Sequence, residues 1–368
     1  MARRVLITGA GGPAGINFAR ALRLAPESFH LVGIDANPYH LQRAETDERY
    51  LVPRADEADY LPVLQSIVTE SGAETIYAAP DLEVHAISKA RDALRTLGVR
   101  VFFPPHETVE LCQNKYLSYQ RWQASGPKVP ATVLLNRHDD LTRAFKTLGP
   151  RIWIRHTMGG AGRGSFSAGK LGQAREWIDF HDGWGAFIAS EHLEAVSVTW
   201  QSIWHEGALV VAQGRKRLYW EFANRAPSGV TGQTGAGVTV SDPAVDRIAQ
   251  EAIRVIDPRP HGIFSVDMTY DREDVPNPTE INIARFFTTH LFFARAGLNM
   301  PRIFVRLALG EALEFTPPVV NPLPPGLIWI RGIDIEPKLM DVAGFEAATV
   351  ALQRRRRRVR DSASRPAR

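Results

Sequence analysis

The sequence predicts an α/β protein: a parallel, helix-covered sheet first, then two α+β units. Three observations carry that expectation. Short apolar runs alternate with helix-like stretches over about the first 105 residues, the pattern of a parallel sheet with crossover helices. From Asn114 the texture changes, and alternating, antiparallel-style runs surround a second glycine cluster. Finally, 368 residues that are 44% hydrophobic and 23% charged suffice for two or three compact units around real cores.

Residues 5–8 (VLIT) form a β-rich run that ends in the glycine turn 9–15 (GAGGPAG). Ile16, Phe18, Ala19, Leu22 and Leu24 then mark an amphipathic helix. Residues 30–35, 76–79 and 101–103 read as further strands, with helices at 60–70 and 84–97. Beyond Asn114, helices are expected at 115–124, 141–148, 244–255 and 292–309. Strands are expected at 152–154, 186–189, 196–204, 208–212, 263–270, 280–283 and 327–335. The chain divides into units 1–112, 113–190 and 191–350, followed by an Arg-rich tail at 351–368 that lacks apolar periodicity and should be disordered.

A single cysteine, Cys112, excludes a disulfide framework and thiolate zinc clusters, and suits a reducing cytoplasm. No apolar run reaches the roughly 18 residues of a membrane span, and no signal-peptide core precedes the first strand. The net charge of +4 suggests nucleic acid, but its distribution argues otherwise. Residues 354–368 hold eight Arg and one Asp; removing that +7 leaves −3 on the body.

Two glycine clusters differ in kind. The first, with Asp35 twenty residues past Gly15, allows a dinucleotide reading. Its spacing puts Ala14 where the third glycine belongs, which favours a tight turn serving another purpose. The second, Gly159, Gly160, Gly162 and Gly164, lies between two strands near Arg155 and Arg163. Such a loop is a flap whose amides can fold over a polyphosphate, and no GK[ST] makes it a P-loop.

The sharpest signal is HGIFSVDMTYDREDVPNPTEINIARFF. Alternation puts Glu280 and Asn282 on one strand face, and a hairpin brings Asp267 beside them. Two carboxylates and an amide oxygen make a hard oxygen site suited to Mg²⁺ on ATP phosphates, with Arg285 within reach. Buried carboxylates without a cation or partner are costly, which disfavours an idle polar strand.

In this order the features resemble the ATP-grasp superfamily, particularly relatives of the carbamoyl-phosphate synthase large subunit. The resemblance runs from LITGAGGPAG, GIDANP and APDLE through NKYLSYQRWQASGPKVPAT, IWIRHTMGGAGRGS and EHLEAVSVT to VDM and TEINIAR. It implies a Rossmann-like pre-ATP-grasp domain and an ATP-grasp fold of two α+β subdomains. Lys115 and Arg155 would touch ATP phosphates beneath the glycine flap. Glu191 and the Leu193 backbone would read adenine, with Ser197 at the ribose-gripping place. Asp267, Glu280 and Asn282 would hold Mg²⁺, and Arg285 would stabilise the transferring phosphoryl group. Lys216 and Arg217, in the segment where such proteins place acceptor-contacting basic residues, would contact the acceptor.

This chain departs from the pattern at three places. Arg155-His156 replaces lysine-proline, keeping the charge and adding a planar fork. Ala195 and Ser197 replace a glycine and an acid, which should weaken the ATP grip. Arg285 stands one residue further from Asn282 than usual. The expected activity is an ATP-dependent, ADP-forming ligation of a small carboxylic acid to an amine through an acyl phosphate. Alternatives are a split carbamoyl-phosphate-synthase-like half-enzyme, an NAD(P)-dependent oxidoreductase and a non-catalytic nucleotide-binding protein. Expected partners are the two small-molecule substrates and a second copy of the chain, with no membrane and no nucleic acid. No HExxH or Gly-x-Ser-x-Gly motif occurs. His156 and His290 are candidate site liners with ordinary structure an equal reading, and Trp122, Trp153, Trp200, Trp204 and Trp220 read as core.

Overall fold

A computed structural model describes residues 2–160, 162–332, 338–347 and 350. The first sheet is four-stranded and parallel: β1 (Arg3–Thr8), β2 (Phe29–Asp35), β3 (Glu48–Leu51) and β4 (Thr75–Tyr77), in the order β3-β2-β1-β4. β1 is central, and its Val5, Leu6 and Ile7 are fully buried because both faces are covered. Leu6, Val32 and Ile34 face helices Tyr60–Ser71 and Asp81–Lys89 through Tyr60, Leu64, Val84 and Ile87. Val5, Ile7 and Leu31 face helix Pro13–Arg23 through Phe18 and Leu22. That second face is completed from far along the chain. Helices Leu291–Arg295 and Met300–Leu309 pack there, with Phe304 edge-on to Phe18 and Tyr77.

The expected strand at 101–103 is not in this sheet. Only an isolated parallel bridge joins Arg100 to Thr75, and Pro104 and Pro105 follow without the N–H donors a ladder needs. The fourth strand is instead β3, at the opposite edge beside β2, whose polar, half-exposed alternation carries little apolar signal. The expected helix 84–97 is two helices, Asp81–Lys89 and Arg91–Thr96. The expected helix 292–309 breaks at Gly297 (φ 108°), after which Asn299 caps Met300–Leu309 by accepting from Arg302 N.

The second sheet is antiparallel: β5 (Thr132–Leu135), β6 (Ile152–His156), β7 (Phe166–Ala168) and β8 (Phe187–Glu191), ordered β5-β8-β6-β7. It packs on helices His138–Thr147 and Leu171–Phe180 around its own core of Leu135, Leu141, Ile152, Ile154, Ile178 and Phe187.

The third sheet holds β9 (Ser197–His205), β10 (Ala208–Trp220), β11 (Thr234–Val240), β12 (Gly262–Tyr270), β13 (Pro276–Ile283), β14 (Val319–Val320), β15 (Leu327–Ile330) and β16 (Lys338–Asp341). The order is β13-β12-β9-β10-β11-β15-β16, with β14 beside β10. Helix Pro243–Ile256 covers it through Val245, Ile248, Ala252 and Ile253. β10 runs past the expected Ala212 to Trp220, and β11, rich in Gly and Thr, was not anticipated. β13 starts earlier than expected because Pro276 and Pro278 are tolerated on an edge strand. The expected tail disorder at 351–368 and the end of the 327–335 strand lie outside the described residues. No helix among the described residues is long and apolar enough to cross a membrane.

Candidate active site between the second and third sheets

Strand alternation turns two polar faces toward each other. On β6, Ile152 and Ile154 enter the second sheet's core, which leaves Trp153 and Arg155 on the opposite side. On β13, Ile281 and Ile283 enter the core beneath helix Pro243–Ile256, which leaves Glu280 and Asn282 opposite. Arg155 bridges the gap: its Nη2 donates to the Thr279 carbonyl at 2.7 Å, and its Nη1 lies 3.5 Å from Glu280 Oε2.

Asp267 on β12 stands directly opposite Glu280 in the β12–β13 register. Asn282 joins the set through both ends of its amide. Its Nδ2 donates to Asp267 Oδ2 at 3.0 Å, and its Oδ1 accepts from Arg285 Nη2 at 2.6 Å. Thr199 donates to Asp267 Oδ1 at 2.5 Å, and Arg217 Nη2 lies 3.8 Å from that oxygen. Lys115, the first residue of helix Lys115–Ser125, is buried, donates to the Gly159 carbonyl and reaches to 3.7 Å from Glu280. Burial alone would push the Glu280 carboxyl up, but Lys115, Arg155, Arg285 and Arg217 hold it below the usual carboxylate range. Burial pulls Lys115 and Arg155 down, and Glu280 opposes it.

The flap is a loop between antiparallel β6 and β7, as its composition suggested. Gly159 (φ 86°), Gly162 (φ 69°) and Gly164 (φ 69°) occupy the left-handed region. A Cβ on Gly162 would come within 2.3 Å of the Val230 carbonyl oxygen, so the flap rests on the loop joining β10 to β11. A Cβ on Gly160 would lie 3.5 Å from Asp81 Oδ2, so the flap also overhangs the Asp81–Arg285 pair.

The hinge residues lie apart from this cluster. Glu191 is exposed at the end of β8 and its N–H donates to the Ala131 carbonyl, while Leu193 is half-buried in the segment that follows. Ser197 belongs to a different group: its hydroxyl accepts from Arg217 Nη1 at 2.6 Å. Arg217 also donates to Thr234 at 3.1 Å and lies over the Trp220 ring at 3.7 Å. Lys216 alternates to the other face of β10, away from Arg215 and Arg217.

Sequence reasoning missed Asp81 and Arg215. Asp81 opens helix Asp81–Lys89 and accepts from Arg285 Nε at 2.7 Å and Nη2 at 3.3 Å. Its one signal was its place in APDLE. Arg215 is fully buried, donates to Thr289 and Thr199 at 2.9 and 3.0 Å, and lies over the Phe287 ring. Burial, with Arg217 nearby, pulls its guanidinium down to about 9.

Two expectations are corrected. His290 is buried among Phe18, Tyr77 and Phe286 and does not line the cleft. Trp153 and Trp220 are only partly buried, unlike the core residues Trp122, Trp200 and Trp204. The first glycine turn is filled by the protein itself. Gly11 N–H donates to Asp35 Oδ2 at 3.2 Å, and a Cβ on Gly11 would meet the His40 carbonyl at 1.7 Å. That turn therefore gives no support to the dinucleotide reading.

No family model matches the chain, and a comparison with curated proteins finds no match. Solved structures do match. The N5-carboxyaminoimidazole synthetase of Staphylococcus aureus complexed with ADP aligns at TM-score 0.69 and 15% identity, over 90% of this chain and 83% of that one. The L-amino acid ligase of Bacillus licheniformis gives 0.68 and 14%, over 89% and 78%. The biotin carboxylase domain of Hydrogenobacter thermophilus 2-oxoglutarate carboxylase, in complex with MgADP, ADP and bicarbonate, gives 0.68 and 17%, over 90% and 74%. The chain shares the fold of these three structures, an ATP-grasp fold preceded by a Rossmann-like α/β domain.

Proposed function

We propose that the chain is an ATP-dependent, ADP-forming ligase that activates a small carboxylic acid for attack by an amine. The observation that carries this reading is the facing pair of polar surfaces between two sheets. Lys115, Arg155, Arg217 and Arg285 gather there around Asp81, Asp267 and Glu280, so cations outnumber carboxylates by one. Among the described residues, the buried Nε of Arg155 has no hydrogen-bond partner. A site with a surplus cation and an unused buried donor fits an anionic ligand.

The donor set also fits Mg²⁺. Asp267 and Glu280 are adjacent carboxylates, and Asn282 adds an amide oxygen once Arg285 turns to a phosphate. Bound there, Mg²⁺ would neutralise phosphate charge. Lys115 and Arg155 would hold the polyphosphate under the amides of Gly159, Gly160, Gly162 and Gly164. Glu191 and the Leu193 backbone would face adenine. Arg285 would stabilise the transferring phosphoryl group, and Arg217, braced on Trp220 and Ser197, would meet the acid. The resulting acyl phosphate is then attacked by the amine with loss of phosphate. The work of the protein is alignment and charge neutralisation rather than covalent chemistry.

The test is ADP release with pairs of candidate acids and amines. Glu280→Ala and Asn282→Ala should each lower turnover at least about 100-fold and abolish its Mg²⁺ dependence. Turnover unchanged in both variants would refute the metal assignment. ADP release with bicarbonate and no organic acid would favour the half-enzyme reading.

A further inference from the structure

Away from the cleft, two helices bring together three donor side chains. His106 and Glu110 lie one turn apart on helix His106–Gln113, and His85 reaches them from helix Asp81–Lys89. One ring nitrogen from each histidine and one carboxylate oxygen of Glu110 lie within 4.8 Å of one another. Among the described residues, no other set of three His, Cys, Asp or Glu side chains gathers its donors so closely.

Hydrogen bonding fixes which atom of His106 is free. The Ser88 hydroxyl donates to the His85 carbonyl at 2.9 Å, which uses its one proton. The same oxygen lies 2.8 Å from His106 Nδ1 and so accepts the Nδ1–H. In the neutral ring this leaves the lone pair on Nε2, which sits 3.5 Å from Glu110 Oε1. A lone pair facing a carboxylate is repulsive, and either a proton or a metal ion between them relieves it. The His85 ring stands nearly edge-on at 4.8 Å, bringing a second imidazole to the same point.

We propose that His85, His106 and Glu110 bind a borderline divalent transition-metal ion of the Zn²⁺ type, separate from the all-oxygen site in the cleft. Two imidazole nitrogens and one carboxylate favour such an ion over Mg²⁺ or Ca²⁺. Ser88 is the outer partner that sets the His106 tautomer. Tetrahedral donors at about 2.0–2.1 Å from zinc lie roughly 3.3 Å apart, so donors that now lie within 4.8 Å of one another must draw slightly closer. The ion ties together two helices that deliver residues to the cleft. Asp81 lies one turn before His85, Lys115 follows the other helix by two residues, and Gln113 already donates to the Asp81 carbonyl at 2.8 Å.

The experiment uses the full chain stripped with a chelator, dialysed into Mg²⁺-containing buffer and titrated with Zn²⁺ by calorimetry. Co²⁺ is titrated in parallel, with its visible absorption as readout. One ion should bind per chain. His85→Ala and His106→Ala should each weaken binding at least about tenfold. Glu110→Gln, an exposed change that leaves the fold alone, should also weaken it. Glu280→Ala should not, which separates this site from the cleft. The proposal is overturned by no Zn²⁺ binding, by affinity unchanged in all three site variants, or by binding lost only in Glu280→Ala.

Discussion

At the scale of single residues, the clearest consequence concerns Asp81. Its two oxygens grip Arg285, whose guanidinium also bonds Asn282, so Asp81 positions the arginine proposed to meet the transferring phosphoryl group. Asp81→Asn should lower kcat roughly 10- to 100-fold with a smaller effect on KM for ATP, measured by steady-state ADP release. His290 yields a different prediction. Its complete burial pulls the imidazole down to about 4, and among the described residues no hydrogen-bond partner reaches Nε2. A histidine depressed in the folded state takes up its proton more readily unfolded, so stability is full above about 6.5 and falls as pH drops toward about 4. The loss is of order 3 kcal/mol. Urea melts from pH 7 to pH 4 should show that slope, and His290→Leu should flatten it.

At the scale of elements, the flap is the part most sensitive to a single methyl. Gly162 combines a left-handed backbone with a carbonyl neighbour that a Cβ would meet at 2.3 Å. Gly162→Ala should raise KM for ATP severalfold while shifting the melting temperature little, because the strain lies in an open loop. How much was readable beforehand follows from the range of the physical signal. The hairpin carrying Asp267, Glu280 and Asn282 was legible because alternation and a short turn fix a register locally. Asp81 was not, because its partner lies 204 positions away, just past β13, and only tertiary packing joins them. β3 and β11 were hidden by their polar and glycine-rich compositions, which carry little apolar period. Ser197 was read by its place after the hinge, whereas its partner Arg217 comes from a neighbouring strand.

At the scale of the whole molecule, helix Met300–Leu309 closes a face of the first sheet. Phe304 stands edge-on to the stacked Phe18 and Tyr77, Asn299 donates to the Ala21 carbonyl at 2.6 Å, and Arg302 pairs with Glu27 at 2.7 Å. The order of synthesis therefore matters. The ribosome releases β1 to β4 long before the helix that finishes their core, so the nascent sheet emerges with an apolar face open to water. Contacts of such long sequence separation slow folding and prolong the exposure of that face. A fragment ending at residue 112 should accordingly remain loosely packed and prone to aggregation, with broad, poorly dispersed amide resonances. Adding a peptide spanning residues 286–315 in trans should sharpen them. A fragment that folded cooperatively alone would show that the late helix is dispensable. With the helix required, the first domain to be made is among the last to be finished.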